Sequence, residues 1–265
     1  MSKRSLQAVR CVVTGASSGI GRSVACALAR EKARLVLTAR RASRLDQVAD
    51  EARCLGAEVT TVAGDVTDPE VRRRIIAAAS ESAGGLDILI NNAGSGVYGR
   101  FELSDEARLR RMFEVNFFAA TELTRLAIPE LRRSDRAMIV NVSSVLGHRA
   151  VPNKSEYCAA KFALHGWSDA LRAELVEASI DVLLVSPSTT ASEFFDQVQP
   201  ARGVAVSQAR ASRGRGMSPD VVARKIIAAM RRGRHEIILS PGGKLLVWLD
   251  RLFPTLTDAL VARFG

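Results

Sequence analysis

The chain alternates between short runs of branched apolar residues and longer segments whose apolar positions recur at helical spacing. The runs at 9–14, 34–39, 58–63, 87–91, 137–143, 180–186 and 235–239 have the length and side-chain content of strands. Between them, 19–32, 43–55, 69–82, 104–133, 154–178 and 218–232 carry the helical pattern. Strand and helix in steady alternation predict an α/β fold, a doubly wound parallel sheet with helices on both faces. No linker, repeat or low-complexity segment interrupts the pattern, so residues 1–265 read as a single domain.

The first strand runs through Cys11, Val12 and Val13 into Thr14-Gly-Ala-Ser-Ser-Gly-Ile-Gly21. Gly15, Gly19 and Gly21 therefore follow a strand and open a helix. Such a turn lets backbone amides approach a pyrophosphate, and the helix N-terminus favours the anion. The second strand ends at Ala39-Arg40-Arg41. A carboxylate there would hold a ribose 2′-hydroxyl, whereas an arginine accommodates a 2′-phosphate. Arg40 and Arg22 are the candidate phosphate partners; the plainer alternative is that both are solvated charges. Asp65, ending the third strand, faces a ligand or caps the turn before Asp68-Pro69. Asn91-Asn-Ala-Gly94 ends the fourth strand, at the edge where open parallel sheets bind ligands. Asn116, among apolar neighbours mid-helix, is a satisfied core amide or part of a site.

Tyr157 and Lys161 are four apart in a segment, 155–175, of helical composition without proline. Positions i and i+4 share a helix face. A cation beside a phenol lowers its pKa from about 10 and makes it a usable proton donor or acceptor. Ser144, at the end of a strand, could place a second hydroxyl on the same oxygen. Alone, the Tyr-x-x-x-Lys spacing occurs in many helices as a solvated pair.

With 47% hydrophobic and 25% charged residues, the composition is that of a soluble globular protein. No run reaches the roughly 18 apolar residues that a membrane span needs, and Arg10 interrupts the early apolar stretch where a signal peptide would lie. Cys11, Cys26, Cys54 and Cys158 show no paired spacing. They fit a reducing, cytoplasmic setting and neither disulfides nor a metal site. The net charge of +10 admits a nucleic-acid partner, but the arginines are scattered over helices and no recognition motif frames them.

Together these residues resemble the short-chain dehydrogenase/reductase family in its shorter, non-extended branch, over roughly residues 9 to 190. Thr14–Gly21 is similar to the family's cofactor loop, Asn91–Gly94 to its Asn-Asn-Ala-Gly motif, and Asn116, Ser144, Tyr157 and Lys161 to its catalytic tetrad. The resemblance implies a Rossmann-like domain, a nicotinamide cofactor and a homodimer or homotetramer. It implies that Tyr157 is the acid/base, that Ser144 holds the substrate oxygen and that Asn116 supports a water relay to Lys161. Lys161 would lower the tyrosine pKa and bind the nicotinamide ribose. Of the cofactor loop, it assigns Gly15, Ser17, Ser18, Gly19, Ile20 and Gly21 to the cofactor. Asp65 and Val66 would flank the adenine, and Asn91, Ala93 and Gly94 would lie along the cofactor. Tyr157, Lys161, Pro187, Thr190 and Ser192 complete the set. With Arg22 and Arg40 present and no acid at 39, the chain is similar to NADP-preferring members rather than NAD-preferring ones. One departure is Pro187-Ser188, where the family has Pro-Gly; serine adopts a positive φ less readily than glycine.

The implied activity is hydride transfer between nicotinamide and a small-molecule carbonyl or secondary alcohol. The alternative is a catalytically silent, nucleotide-cofactor-binding regulatory protein. Residues 193–217, Phe194-Phe195 followed by Ala- and Gly-containing basic sequence, read as a substrate lid or as a loose connection. Residues 243–264 have leucines near helical spacing broken by Pro254. They read as two amphipathic helices that close the pocket or pack on a partner subunit. Mixed charge on their polar face disfavours membrane-surface contact.

Overall fold

Neighbouring residues of each central strand face opposite sides of the sheet, and both sides are covered. This is why the strands read as continuous apolar runs. The computed structural model describes residues 4–209, 214 and 216–264. Its main sheet contains β1 (Arg10–Thr14), β2 (Arg34–Ala39), β3 (Glu58–Ala63), β4 (Ile88–Asn91), β6 (Met138–Val142), β7 (Asp181–Ser186) and β9 (Glu236–Ile238). All neighbours are parallel, in the order β3-β2-β1-β4-β6-β7-β9. The order reverses between β1 and β4, where Val12 lies opposite Val36 on one side and Leu89 on the other. Such a switch point opens a crevice at the carboxyl ends of the strands.

Two apolar layers result. Cys11, Val13, Leu35, Leu37, Ile90 and Val140 pack under α1 (Gly19–Ala29), α2 (Ala42–Cys54) and α8 (Pro219–Arg231). Val12, Val36, Leu89 and Ile139 pack under α3 (Pro69–Glu81), α5 (Ala119–Leu131) and α6 (Ser155–Glu174). Helix starts are locally encoded. Asp68 accepts from the Glu70 amide with Pro69 behind it, and Ser218 accepts from the Val221 amide with Pro219 behind it.

Two features differ from the sequence expectation. The predicted helix 104–133 is divided: a 3₁₀ turn at Phe101–Leu103, α4 (Glu106–Phe113), a π turn at Glu114–Phe118, then α5. The Asn116 amide donates to the Met112 carbonyl at 3.0 Å, competing with the regular ladder at the widened turn. A second, two-stranded sheet joins β5 (Val97–Tyr98) to β8 (Gln199–Pro200), upstream of the short α7 (Val206–Ala209). The tail does form two helices, α9 (Pro241–Leu252) and α10 (Pro254–Phe264), with Pro254 at the break. They dock through Val247, Thr257 and the pairs of Arg149 with Asp250 and Asp258.

The four cysteines are free, and no described helix is long and apolar enough to cross a membrane. Many of the arginines pair with acids along helix faces, as Arg73–Glu70, Arg110–Glu106 and Arg133–Glu130 do.

Candidate active site

β1 delivers Thr14 to the crevice, and Thr14 ties the two ligand-facing loops together. Its Oγ1 accepts from the amides of Asn92 and Ala93, both at 2.9 Å, while Asn92 Nδ2 donates to the Thr14 carbonyl at 2.9 Å. The glycines are sterically required here. Gly15 has φ +64°, and a Cβ there would lie 2.9 Å from Ala93 Cα; a Cβ on Gly21 would lie 2.4 Å from the Gly15 carbonyl oxygen. α1 then starts at Gly19 with Ser18 as an N-cap that makes no side-chain cap bond, and no acidic residue in the first turn. Its first amides are left for an external acceptor, unlike those of α3 and α8.

A cavity of about 530 Å³ runs from this turn across the strand ends. It brings together Gly15, Ser17, Ser18, Gly19, Ile20, Arg40, Asp65, Val66, Ala93, Gly94, Ser144, Tyr157, Lys161, Pro187, Thr190 and Ser192. Four expected residues do not line it. Gly21 is packed beneath the turn. Asn91 is buried, donating to Thr124 Oγ1 and Asn141 Oδ1 at 2.9 Å each, so it supports the loop from below and its neighbour Asn92 meets the cavity. Asn116 lies behind Gly94, its Nδ2 bonded to the Ser95 carbonyl at 3.0 Å. Arg22 faces a smaller adjoining cleft and is held by both Glu51 carboxylate oxygens at 2.9 Å.

The cation beside the glycine turn is one the sequence pattern did not single out. Arg41, the second residue of the arginine doublet, donates to Ser18 Oγ at 3.1 Å and Ser17 Oγ at 3.3 Å, beside the phosphate turn. Its other Nη meets Glu193 at 2.8 Å, and Arg44 meets the same carboxylate at 3.0 Å. The hydrogen bond from Arg41 holds the Glu193 carboxyl below its usual range. Arg40 donates to Gln197 Oε1. Nothing in the sequence marks Glu193, because its partners lie about 150 residues away. Asp65 lines the cavity and also holds the turn that follows it: it accepts from the Thr67 amide at 3.0 Å, while Arg111 donates to its other oxygen at 2.7 Å. Burial raises its pKa, but these bonds outweigh burial and the carboxyl titrates below its ordinary value.

At the other end, Ser144 follows β6 and its Oγ accepts from the Leu146 amide at 3.1 Å, starting a 3₁₀ turn. Tyr157 and Lys161 lie one turn apart on α6. Lys161 Nζ is buried, donates to the Val142 carbonyl at 3.1 Å and lies 5.7 Å from the centre of the Tyr157 ring. Burial lowers the lysine pKa to about 8. The same burial raises the phenol above its ordinary 10, against a lowering by the Ser144 hydroxyl. The lowered phenol pKa expected from the i, i+4 spacing is therefore corrected: Lys161 donates to the Val142 carbonyl, and desolvation outweighs the Ser144 hydrogen bond. Phe194 meets the Tyr157 ring edge-on at 6.0 Å.

Ser188 is not among the described residues with positive φ, so serine replaces glycine there without left-handed strain. No described residue of α9 or α10 lines the cavity, so the tail does not close it.

A glycine turn at a sheet's switch point, an uncapped helix and a hydroxyl–phenol–amine group on one cavity define a dinucleotide-dependent oxidoreductase. The cavity beside the Gly15–Gly19 turn and the uncapped start of α1 fits such a cofactor. The chain belongs to the short-chain dehydrogenase/reductase family, whose short chain dehydrogenase model matches residues 10–203. It is 30% identical over 263 residues to the ketoacyl reductase HetN of a Nostoc species, covering 96% of this chain and 88% of that protein. A family member from Burkholderia phymatum, solved in complex with NAD, superposes with a TM-score of 0.88 at 28% identity over 96% of both chains. One from Burkholderia cenocepacia, solved in complex with NADP, gives 0.76 at 29% identity over 88% of this chain and 96% of that one. The protein is an NAD(P)-dependent dehydrogenase/reductase of this family.

Proposed function

We propose that the chain reduces the carbonyl of an apolar small molecule, or oxidises the matching secondary alcohol, with NADP preferred over NAD. The observation that carries this is the placement of Ser144, Tyr157 and Lys161 on the same cavity as the Gly15–Gly19 turn. The dinucleotide, when bound, supplies the hydride. Gly15, Ser17, Ser18, Gly19 and Ile20 would hold its pyrophosphate, with Asp65 and Val66 beside the adenine. Ala93, Gly94, Lys161, Pro187, Thr190 and Ser192 would hold the nicotinamide half.

Ser144 and Tyr157 would donate to the carbonyl oxygen as negative charge grows on it. A phenol kept protonated by burial suits delivery of its proton to that oxygen. Lys161 and Asn116, which flank Gly94, would replace the proton through a water chain. Val97, Val145, Leu146, Phe194 and Val198 line the cavity and favour an apolar substrate.

The 2′-phosphate of NADP would meet Arg41 and Arg44 once Glu193 leaves them. Residues 193–217 would act as a lid; of these, 210–213 and 215 lie outside the described residues. Glu193 and Phe194 already link this segment to both ends of the site. Exposed Phe118 and Phe162 support assembly as a homodimer or homotetramer, and the free cysteines suit a cytoplasmic setting.

The test is loss of reduced-nicotinamide absorbance across a panel of ketones and aldehydes, with NADPH and NADH in parallel. Turnover of apolar ketones, faster with NADPH, is expected. Tight cofactor binding without turnover on any carbonyl or alcohol would overturn the assignment in favour of a silent binding protein.

A further inference from the structure

Behind the Ser144 turn, outside the cavity, three elements bring His148, His165 and Glu236 together. His148 follows the 3₁₀ turn Val145–Gly147, His165 lies one helical turn beyond Lys161 on α6, and Glu236 opens β9. One ligand atom from each lies within 4.8 Å of the others. His148 Nε2 is 2.8 Å from Glu236 Oε1 and 3.2 Å from Ser186 Oγ, and the two imidazole rings pack edge-to-face at 4.4 Å.

An ion pair between His148 and Glu236 accounts for two of these groups and leaves the third unexplained. His165 is only 8% exposed, and its Nε2 has no hydrogen-bond partner among the described residues. Buried polar nitrogens are normally satisfied. The chain also makes room for this ring. A Cβ on Gly147 would lie 2.5 Å from His165 Nε2, so glycine is needed at 147 for the imidazole to sit where it does.

We propose that His148, His165 and Glu236 form a binding site for a divalent transition metal of the Zn²⁺ class. Two imidazoles and one carboxylate are a complete protein ligand set for a four-coordinate ion that keeps one position for water or for the Ser186 hydroxyl. Ligand atoms around tetrahedral zinc stand about 3.3 Å apart, given metal–ligand distances near 2.0–2.1 Å. To reach this, the 2.8 Å separation of His148 and Glu236 must open while the wider separations, within 4.8 Å, close, and Glu236, 38% exposed at its side chain, is the residue free to move. That exposure also provides the entry path. The bound ion would clamp the edge strand β9 and α6 to the turn that carries Ser144. The site is separate from the dinucleotide cavity, so it does not depend on the cofactor assigned there.

The experiment is a Co²⁺ titration of the full, tag-free chain, read by visible d–d absorption, with Zn²⁺ competition. Wild type is expected to bind one equivalent in a saturable, Zn²⁺-displaceable manner. Glu236→Gln, an isosteric change at an exposed position, and His165→Gln should each weaken binding at least tenfold. Zn²⁺ should also raise the thermal midpoint of wild type and not of Glu236→Gln. Absence of saturable Co²⁺ absorption, or an affinity unchanged in Glu236→Gln, would overturn the proposal and leave the cluster as an ion pair stacked on a buried histidine.

Discussion

The Lys161 ammonium lies 5.7 Å from the centre of the Tyr157 ring and donates to the Val142 carbonyl. The pair shares a helix face, as its spacing requires, but packing sends the amine past the ring to the end of β6. If Tyr157 is the acid/base, Tyr157→Phe removes the proton and little else. Turnover should fall by about 10²- to 10⁴-fold with cofactor affinity nearly unchanged. Steady-state kinetics with cofactor binding by fluorescence checks this; a variant turning over like wild type would refute the role.

Lys161 also predicts a pH dependence of stability. Its folded pKa, about 8, lies below its ordinary 10.5. Between those values the unfolded chain keeps a proton that the folded chain has released, so this group's contribution to stability rises with pH through that window and is lost as pH falls toward 8. Tyr157, raised above 10, acts in the opposite direction only above about pH 10. Wild type should therefore gain about 2 kcal/mol relative to Lys161→Met between roughly pH 7.5 and 9.5. Denaturant midpoints of both proteins across that range measure it, and a constant difference would mean that the amine is solvated.

Glu193 occupies the two arginines that a 2′-phosphate would need. Glu193→Gln should therefore strengthen NADP binding severalfold and leave NAD binding nearly unchanged. Arg41→Ala combined with Ala39→Asp should shift the preference toward NAD by about tenfold or more. Dissociation constants for both cofactors at two salt concentrations decide the matter, since half-exposed charges are screened. Equal responses of the two cofactors to Glu193→Gln would show that the phosphate does not dock at Arg41 and Arg44.

Next to Tyr157, Arg108 on α4 donates to Glu156 on α6 at 2.6 Å, and both side chains are buried. Burial alone would raise the Glu156 pKa, but bonds from Ser104 and Arg108 outweigh it and the carboxyl titrates below its ordinary value. Its contribution is present above about pH 4.5 and lost as pH falls below that. Glu156→Gln strands a buried guanidinium and should cost about 3–5 kcal/mol. Replacing both residues with Met should recover most of the loss. Urea denaturation of the single and double variants tests this; additive losses would show that the pair is not coupled.

The sheet and its connections are written locally in the chain. Branched apolar runs of strand length alternate with helical periodicity, and glycine, proline and capping residues stand at the joints. Each strand or helix was thus legible to within a few residues, apart from β5, β8, the short α7 and the division of 104–133 at Asn116. That division depends on a side chain bonding its own helix and Ser95, a contact made only after folding. The glycine turn and the Ser144, Tyr157 and Lys161 positions were legible because close backbone approach and shared helix faces follow from short-range geometry. The tertiary structure decided what depends on distant packing. It seated Glu193 on Arg41, paired Arg22 with Glu51, and placed Asn91 beneath the site rather than on its wall. It also raised the Tyr157 pKa, because desolvation is set by all the atoms that surround a group, and spacing along one helix does not specify them.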